Sequence, residues 1–281
     1  TAMATAAAAT RDGTARDGAA LHVLTHNVWL HLVQPAPDRR LRLSLLVDHV
    51  QRAARGARAY DVVCVQELFV LRVGPLLFGT DHYLYVAREL AALGYAHRTT
   101  PRVDALGWPL PVQSAGLATF SRHPLRASSA RAAFTPFAVT AEALNNKGFE
   151  HLIVSLPATT VAADDGADGG DGTAAGATGG AAPPVDVHVF NTHFDSRSWA
   201  RSRRAQAEQI GAAARAVAPR EHVLLVGDWN TCFRKERAHY DHLLAACGDN
   251  VRDAMLLPQG VHDRPPPAVR APTFRIDKPK Q

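Results

Sequence analysis

The chain has 281 residues, with 47% apolar and 20% charged side chains and a formal net charge of +5. This is enough apolar material for one large α/β domain, whereas the lack of any run of about 18 apolar residues excludes a membrane-spanning helix. The three cysteines have no paired spacing, which argues against a disulfide framework and favours a reducing compartment. We therefore expect a cytoplasmic protein or one bound peripherally to a membrane.

The first elements are predicted as follows. Residues 1–20 consist mainly of Ala, Thr, Gly, Arg and Asp without a hydrophobic period, which predicts a disordered segment. A single domain is predicted at 21–281, and it begins with an alternating strand at 21–26. Asp38 is placed to cap a helix that ends near Gly56. The apolar face predicted for this helix consists of Leu41, Leu45, Leu46, Val50 and Ala54.

The rest of the chain alternates between the two element types. Strands are predicted at 61–66, 114–120, 149–156, 185–191 and 222–227, and helices at 80–93, 199–217 and 237–247. Residues 158–184 are almost entirely Ala, Gly, Asp and Thr. They are predicted to be a flexible insertion, because they cannot bury enough apolar area to offset the entropy of ordering. The alternation without an internal repeat predicts an α/β sandwich in which helices cover the sheets.

Polar side chains follow four of the predicted strands. These residues are Asn27, Glu67, His193 and Asp228, with Asn230 two positions further on. Each residue alone is more often structural, because Asn and Asp form turns and a histidine is commonly hydrogen-bonded in place. Together they predict a functional site, since the carboxyl ends of strands in α/β folds are where loops converge over a rigid sheet.

The residue types at these strand ends favour a hard cation. Glu67, Asn27 and Asp228 offer oxygen, and no thiolate accompanies them, which suits Mg²⁺ better than Zn²⁺. A magnesium ion would act as a Lewis acid on a phosphoryl oxygen. His193 and Asn230 would donate hydrogen bonds to the non-bridging oxygens. Asp228 would orient or deprotonate the attacking water.

The strand ends carry motifs that resemble a known family. In chain order they are His26-Asn27-Val28-Trp29, Val65-Gln66-Glu67, the segment 114–121, Asn191-Thr192-His193, Arg203 with Gln206, Gly227-Asp228-Trp229-Asn230, and Arg275-Ile276-Asp277. This ordered set resembles the signature blocks of the endonuclease/exonuclease/phosphatase family, which has the deoxyribonuclease-I-like fold. The resemblance implies a four-layer α/β sandwich, with two central mixed sheets flanked by helices.

The same resemblance implies roles for the candidate residues. Glu67 is expected to be the main metal ligand with Asn27 nearby, and Mg²⁺ is the expected cofactor, with Mn²⁺ as a candidate substitute. His193, Asp228 and Asn230 are expected around the scissile phosphate. Asp277 would orient a histidine that follows it in the family. No histidine follows Asp277 in this sequence, so we expect this chain by itself to be inactive or strongly impaired.

Two further features bear on the substrate. Asn146-Lys147-Gly148 looks like the Lys-Gly element of neutral sphingomyelinases, in which Lys147 would lie beside a lipid phosphate, although the tripeptide is also typical of a turn. The apolar segment 68–85 either contacts a lipid surface or folds back into the core. The implied reaction is hydrolysis of sphingomyelin to ceramide and phosphocholine, with a phospholipid at a membrane surface as the partner.

Other functions remain alternatives on sequence grounds. The first is a nuclease or an inositol-phosphate phosphatase of the same fold. A nuclease should have a broad basic groove with stacking aromatics, and an aromatic content of 7% with a net charge of +5 does not favour a nucleic-acid partner. The second is a non-catalytic binding or scaffold relative, against which the retained Glu67, His193, Asp228 and Asn230 argue.

Overall fold

The computed structural model describes residues 2–7, 20–30, 38–56, 59–73, 75–101, 112–134, 147–157, 184–196, 200–217, 221–232, 236–248, 251 and 253. The strands in these ranges are β1 (Ala2–Ala7), β2 (Ala20–Asn27), β3 (Val62–Gln66), β4 (Leu71–Val73), β5 (Leu76–Phe78), β6 (His97–Arg98), β7 (Val112–Gln113), β8 (Ala118–Ser121), β9 (Leu125–Ala133), β10 (Gly148–Leu156), β11 (Val185–His193) and β12 (His222–Asp228). The helices are α1 (Arg39–Arg55), α2 (Thr80–Ala92), α3 (Ala200–Arg215) and α4 (Arg237–Cys247).

Two mixed sheets form the centre of the molecule. The first has the order β1-β2-β3-β8-β6, in which β2 and β3 are parallel and the other neighbours are antiparallel. The second has the order β12-β11-β10-β9, in which only β11 and β12 are parallel. A separate small antiparallel sheet has the order β5-β4-β7. Each large sheet therefore contains one parallel pair whose carboxyl ends lie side by side.

Three buried apolar clusters fix the order of the layers. Helices α1 and α2 pack on one face of the first sheet, where Leu90 belongs to the same cluster as Phe120. The opposite face of that sheet packs on the second sheet through residues such as Val62 and Val189. The outer face of the second sheet packs on α3 and α4, with Ile210 in the cluster. The layers are helices, sheet, sheet and helices, which confirms the predicted four-layer sandwich.

The buried face of α1 differs from the predicted one. The buried residues are Leu43, Leu46, Val47 and Val50, whereas Leu41 and Leu45 are exposed. The apolar residues of this helix form two overlapping stripes, and the observed set has the i, i+3, i+4, i+7 spacing of a single helical face. Asp38 occupies the N-cap position, but its side chain makes no capping hydrogen bond. Its left-handed φ of 59° differs from the extended backbone that a capping side chain requires.

The strands also depart from prediction in places. Ala2–Ala7 forms β1 and pairs with β2, although 1–20 was expected to be disordered. Main-chain pairing needs no apolar side chain, so composition gave no signal for this strand. The strand expected at 114–120 begins only at Ala118, and Gly116 ahead of it has a φ of 69°, which a strand does not accommodate. Strands β4 to β7 and β9 were not predicted, because they are short or rich in small polar residues.

The remaining predictions concern the insertion, three helices and the absence of a membrane-spanning helix. Residues 158–183 of the predicted insertion lie outside the described part of the chain, and β11 begins directly after Pro184 as expected. The predicted helices at 80–93, 199–217 and 237–247 correspond to α2, α3 and α4. None of the helices in the described ranges combines the length and the apolarity needed to cross a bilayer.

Candidate active site

The predicted site residues converge where the two parallel strand pairs end. Asn27 is the last residue of β2, and Glu67 directly follows β3. His193 and Asp228 are the last residues of β11 and β12, and they lie opposite each other in the register. One side chain joins the sheets, because Nδ2 of Asn27 donates to Oε1 of Glu67 and to Oδ2 of Asp228, both at 2.8 Å. The structure thus brings together four candidates that are up to about 200 positions apart in sequence.

The orientation of the Asn27 amide follows from its surroundings. The backbone N–H of Trp29 donates to Oδ1 of Asn27 at 2.8 Å. The amide nitrogen must then face the two carboxylates, since only an N–H can donate to them. The sequence predicts that Asn27 lies at the metal site and offers oxygen near Glu67, the main ligand. In this structure Nδ2 of Asn27 donates to both Glu67 and Asp228, and the place of Asn27 beside a cation stays a prediction.

His193 lies beside the carboxylate of Glu67. Its side chain is only 2% exposed, and its Nε2 lies 3.6 Å from Oε1 of Glu67. Interactions at such a buried position are screened less by water than those on the surface. The imidazole is therefore placed where it can interact strongly with the charge of Glu67 or of an anion bound beside it.

A tight turn after β12 positions Asp228 and Asn230. The backbone N–H of Asn230 donates to Oδ1 of Asp228 at 2.9 Å, and its side-chain Nδ2 donates to the carbonyl of Phe194 at 2.8 Å. Gly227 precedes the pair with a φ of 135°, and a Cβ there would lie 2.0 Å from the carbonyl oxygen of Thr192. Only glycine lets β12 approach β11 this closely just before Asp228.

Lys147, which directly precedes β10, contacts the loop that follows β11. Its side chain is buried, and its Nζ donates to the carbonyl of Phe194 at 2.8 Å. This carbonyl follows His193 and also accepts from Asn230. Lys147 and Asn230 are thus linked through one carbonyl group, which belongs to the residue directly after His193. Asp277 lies outside the described residues, so its predicted place remains a prediction.

A sequence model of the endonuclease/exonuclease/phosphatase family matches residues 24–246, a range that includes Asn27, Glu67, Lys147, His193, Asp228 and Asn230. The chain belongs to the endonuclease/exonuclease/phosphatase family. Members of this family are generally hydrolases that act on phosphoester bonds. No functionally curated protein matches the sequence.

Solved structures with similar folds include members of this family. A beta toxin variant from Staphylococcus aureus with bound magnesium ions has a TM-score of 0.50 at 18% identity, over 82% of this chain and 70% of the toxin chain. A beta-hairpin deletion mutant of the same toxin has a TM-score of 0.49 at 18% identity, over 82% and 73%. A family protein from Beutenbergia cavernae has a TM-score of 0.44 at 22% identity, over 76% and 48%.

The strand-end site contains strained backbone. Trp29, Glu67 and Asn230 have φ values of 53°, 60° and 49°. They account for three of the four non-glycine residues with positive φ in the described ranges. Such conformations cost about 1–3 kcal/mol each and persist at functional sites where the surroundings enforce them. At Glu67 the enforcing neighbour is Gly116, whose carbonyl accepts from the N–H of Leu68 at 2.9 Å.

The donor set fits a magnesium ion. Oxygens of Glu67 and Asp228 accept from one amide nitrogen, so they lie no more than twice 2.8 Å apart. The described residues contain no group of three His, Cys, Asp or Glu side chains that would hold a metal. Magnesium needs only one or two carboxylates with waters and substrate phosphate, whereas a protein zinc site needs three or four ligands. Glu67 would hold the ion, with the Asp228 carboxylate close by, and the ion would supply Lewis-acid polarisation of a phosphoryl oxygen.

Several supporting residues had no role in the sequence prediction. Trp29 fixes the Asn27 amide, and Arg42 lies 4.7 Å over its ring. Arg203 on α3 donates to the carbonyl of Asn230 at 2.6 Å. Gln206 accepts from the N–H of Asp195 at 2.9 Å. The resemblance named Arg203 and Gln206 as a family element, but only the structure shows that they brace the loops after β12 and β11.

Proposed function

We propose that the protein is a magnesium-dependent phosphodiesterase that hydrolyses sphingomyelin to ceramide and phosphocholine at a membrane surface. The observation that carries this proposal is an exposed apolar hairpin in the segment that directly follows Glu67. The hairpin consists of β4 and β5, in which Leu71 pairs with Phe78 and Val73 with Leu76. A lipid substrate explains why apolar surface is kept beside a site for a charged phosphate.

The sequence allowed the apolar segment 68–85 either to fold into the core or to contact a lipid surface, and different parts of the segment suit each alternative. Leu68, Phe69 and Val70 are buried and belong to the interior. Leu76, Leu77 and Phe78 are 59%, 46% and 47% exposed. Isolated exposed apolar side chains are ordinary, but a contiguous group of large ones marks an interaction surface.

A bilayer is the partner that suits this hairpin. Apolar side chains of this size can enter the boundary between headgroups and acyl chains, where burial is favourable by roughly 25 cal/mol per Å². Arg72 of β4 is exposed in the same hairpin and can remain at headgroup level beside lipid phosphates. The hairpin would therefore hold the strand-end site against the layer that contains the scissile bond.

The proposal assigns each site residue a role that is compatible with its position. Asp228 orients or deprotonates a water molecule whose oxygen bonds to phosphorus. The bond from phosphorus to the ceramide oxygen breaks, and that oxygen takes up a proton, which balances the proton lost by the attacking water. His193, Lys147 and Asn230 carry N–H groups on the second-sheet side of the site, and they stabilise charge on the non-bridging oxygens. Glu67 would hold the ion on the first-sheet side.

The test uses the full-length protein, expressed through to the natural stop codon of its coding sequence. Phosphocholine release from sphingomyelin vesicles is measured with magnesium and with excess chelator, in parallel with abasic DNA and an inositol phosphate. Magnesium-dependent release from sphingomyelin, faster than turnover of the other substrates, supports the proposal. Preferential cleavage of DNA or of the inositol phosphate overturns the lipid assignment, and activity in excess chelator overturns the metal assignment. Absence of turnover on every substrate favours a non-catalytic relative.

A further inference from the structure

A buried polar network lies between the two sheets, directly beneath the proposed site. Its members are Thr25, Gln66, Thr119, Glu150 and Asn191, and all of them are buried. The opposite end of the layer between the sheets is mainly apolar. Buried polar groups are expensive unless they are satisfied, so a connected network in such a layer calls for a reason.

The centre of the network is a pair of amides that joins the sheets. Nε2 of Gln66, at the end of β3, donates to Oδ1 of Asn191 on β11 at 2.8 Å. It also lies 3.1 Å from Oγ1 of Thr25 on β2. Nδ2 of Asn191 lies 3.3 Å from Oγ1 of Thr119 on β8, which donates to the buried carboxylate of Glu150 at 2.9 Å. The bond between Gln66 and Asn191 is thus a direct, directional link from the first sheet to the second.

The pair sits next to the reacting groups in sequence and in space. Gln66 immediately precedes Glu67, and Asn191 is two positions before His193 on the same face of β11. Glu67 and His193 belong to different sheets, and their side chains approach to 3.6 Å. A shift of one sheet against the other would change this separation first.

We propose that Gln66 and Asn191 are a positioning pair, which fixes the separation of Glu67 and His193 by locking the two sheets together beneath them. The inference deepens the proposed function and rests on it for the roles of those two residues. Cohesion alone would not require amides, because replacing both partners of a buried hydrogen bond by apolar groups of similar shape is often nearly neutral for stability. The amides add a fixed relative position, on which site geometry depends strongly.

The test separates position from stability. The double variant Gln66→Leu/Asn191→Leu removes the bond but keeps an apolar filling, and the exchanged variant Gln66→Asn/Asn191→Gln restores an amide pair of the same combined length. Tyr95→Phe is the matched control, since it removes a buried hydrogen bond to the carbonyl of Tyr60 at the opposite end of β3. Manganese affinity by electron paramagnetic resonance, kcat, KM and the melting temperature are measured for the full-length protein and each variant.

The expected results are distinct for each variant. The double leucine variant keeps its melting temperature within a few degrees but loses on the order of 10-fold or more in kcat, with weaker manganese binding. The exchanged variant recovers part of the kcat and part of the manganese affinity, and Tyr95→Phe retains the wild-type values of both quantities. A double leucine variant with wild-type kcat and manganese affinity overturns the proposal. An exchanged variant whose kcat and manganese affinity are as low as those of the double leucine variant also overturns it. If the wild type releases no phosphocholine, the proposed function fails, and manganese affinity alone decides whether the pair positions Glu67.

Discussion

The layer between the two sheets has two ends with opposite chemistry. At one end it is filled by Leu21, Val23, Val62 and Val187, with further valines around them. At the other end the same faces of the same strands present Thr25, Gln66 and Asn191, and then the site. On β2, for example, every second residue from Leu21 to Asn27 points into this layer, because strand side chains alternate. The apolar end holds the sheets together, and the polar end determines how they are aligned.

The sharpest way to probe the polar end is to neutralise one carboxylate. Glu67→Gln keeps the shape of the side chain but removes the charge that would hold magnesium. We expect kcat to fall on the order of 10³-fold, as when a charge-stabilising group is removed from an active site, while the melting temperature changes by only a few degrees. Phosphocholine release and thermal unfolding are the measurements. Glu208→Gln is the matched control, because Glu208 lies exposed on α3 in an ion pair with Arg204.

The opposite result is expected at the apolar end. Leu21→Ala removes a side chain that is 2% exposed, and the resulting cavity should lower the free energy of unfolding by about 3 kcal/mol. Because Leu21 is six positions from Asn27 along β2, kcat of the folded protein should remain near the wild-type value. Denaturant unfolding and initial rates check the two halves of the prediction. A large loss of kcat at unchanged stability would show that the two ends are not separable.

Much of the division between the apolar end and the polar end of the layer could be predicted from the sequence. Alternation of apolar residues predicted β2, β10, β11 and β12 nearly to their ends, and the polar residues after them pointed to the site. The partners across the sheets could not be predicted, because spacing says nothing about which side chains meet after folding. The donor role of Asn27 depends on the left-handed turn at Trp29. The local sequence pattern did not predict this turn. The exposure of the β4–β5 hairpin could not be predicted either, because it depends on which other parts of the fold pack against the hairpin.

Exposed apolar surface near the polar end should behave unlike the buried apolar end. Leu76→Ser/Leu77→Ser changes two exposed residues of the hairpin, so the free energy of unfolding should change by no more than about 0.5 kcal/mol. Binding to sphingomyelin vesicles in a sedimentation assay should weaken on the order of 10-fold, since each side chain contributes apolar area to the membrane contact. Leu84→Ser on α2 is a control with a similarly exposed leucine outside the hairpin. Equal vesicle binding by the double variant and the wild type would remove the hairpin from the proposed membrane contact.

The smallest expected effect concerns the outer face of the second sheet, where we expect substitutions to change stability but not kcat. His151 stacks on Phe190 with ring centroids 4.1 Å apart and shares a hydrogen bond of 2.9 Å with His188. Burial, followed by the neighbouring His188, lowers the pKa of His151 from its ordinary 6.5 to about 4. Between these values the unfolded chain binds more protons than the folded one, so stability should fall as the pH falls from 6.5 towards 4.

His151→Gln should flatten this part of the stability profile by on the order of 1 kcal/mol, a figure reduced for the partial exposure of the ring. Unfolding in denaturant at pH 7.5 and pH 5 measures the difference, and His242→Gln, which removes an exposed histidine of α4, is the control. The slope should persist in the control and shrink in His151→Gln, with kcat at neutral pH unaltered in both. A change in kcat at neutral pH would mean that the outer face also helps to align the site, and the separation between the stabilising and aligning parts of the second sheet would then be lost.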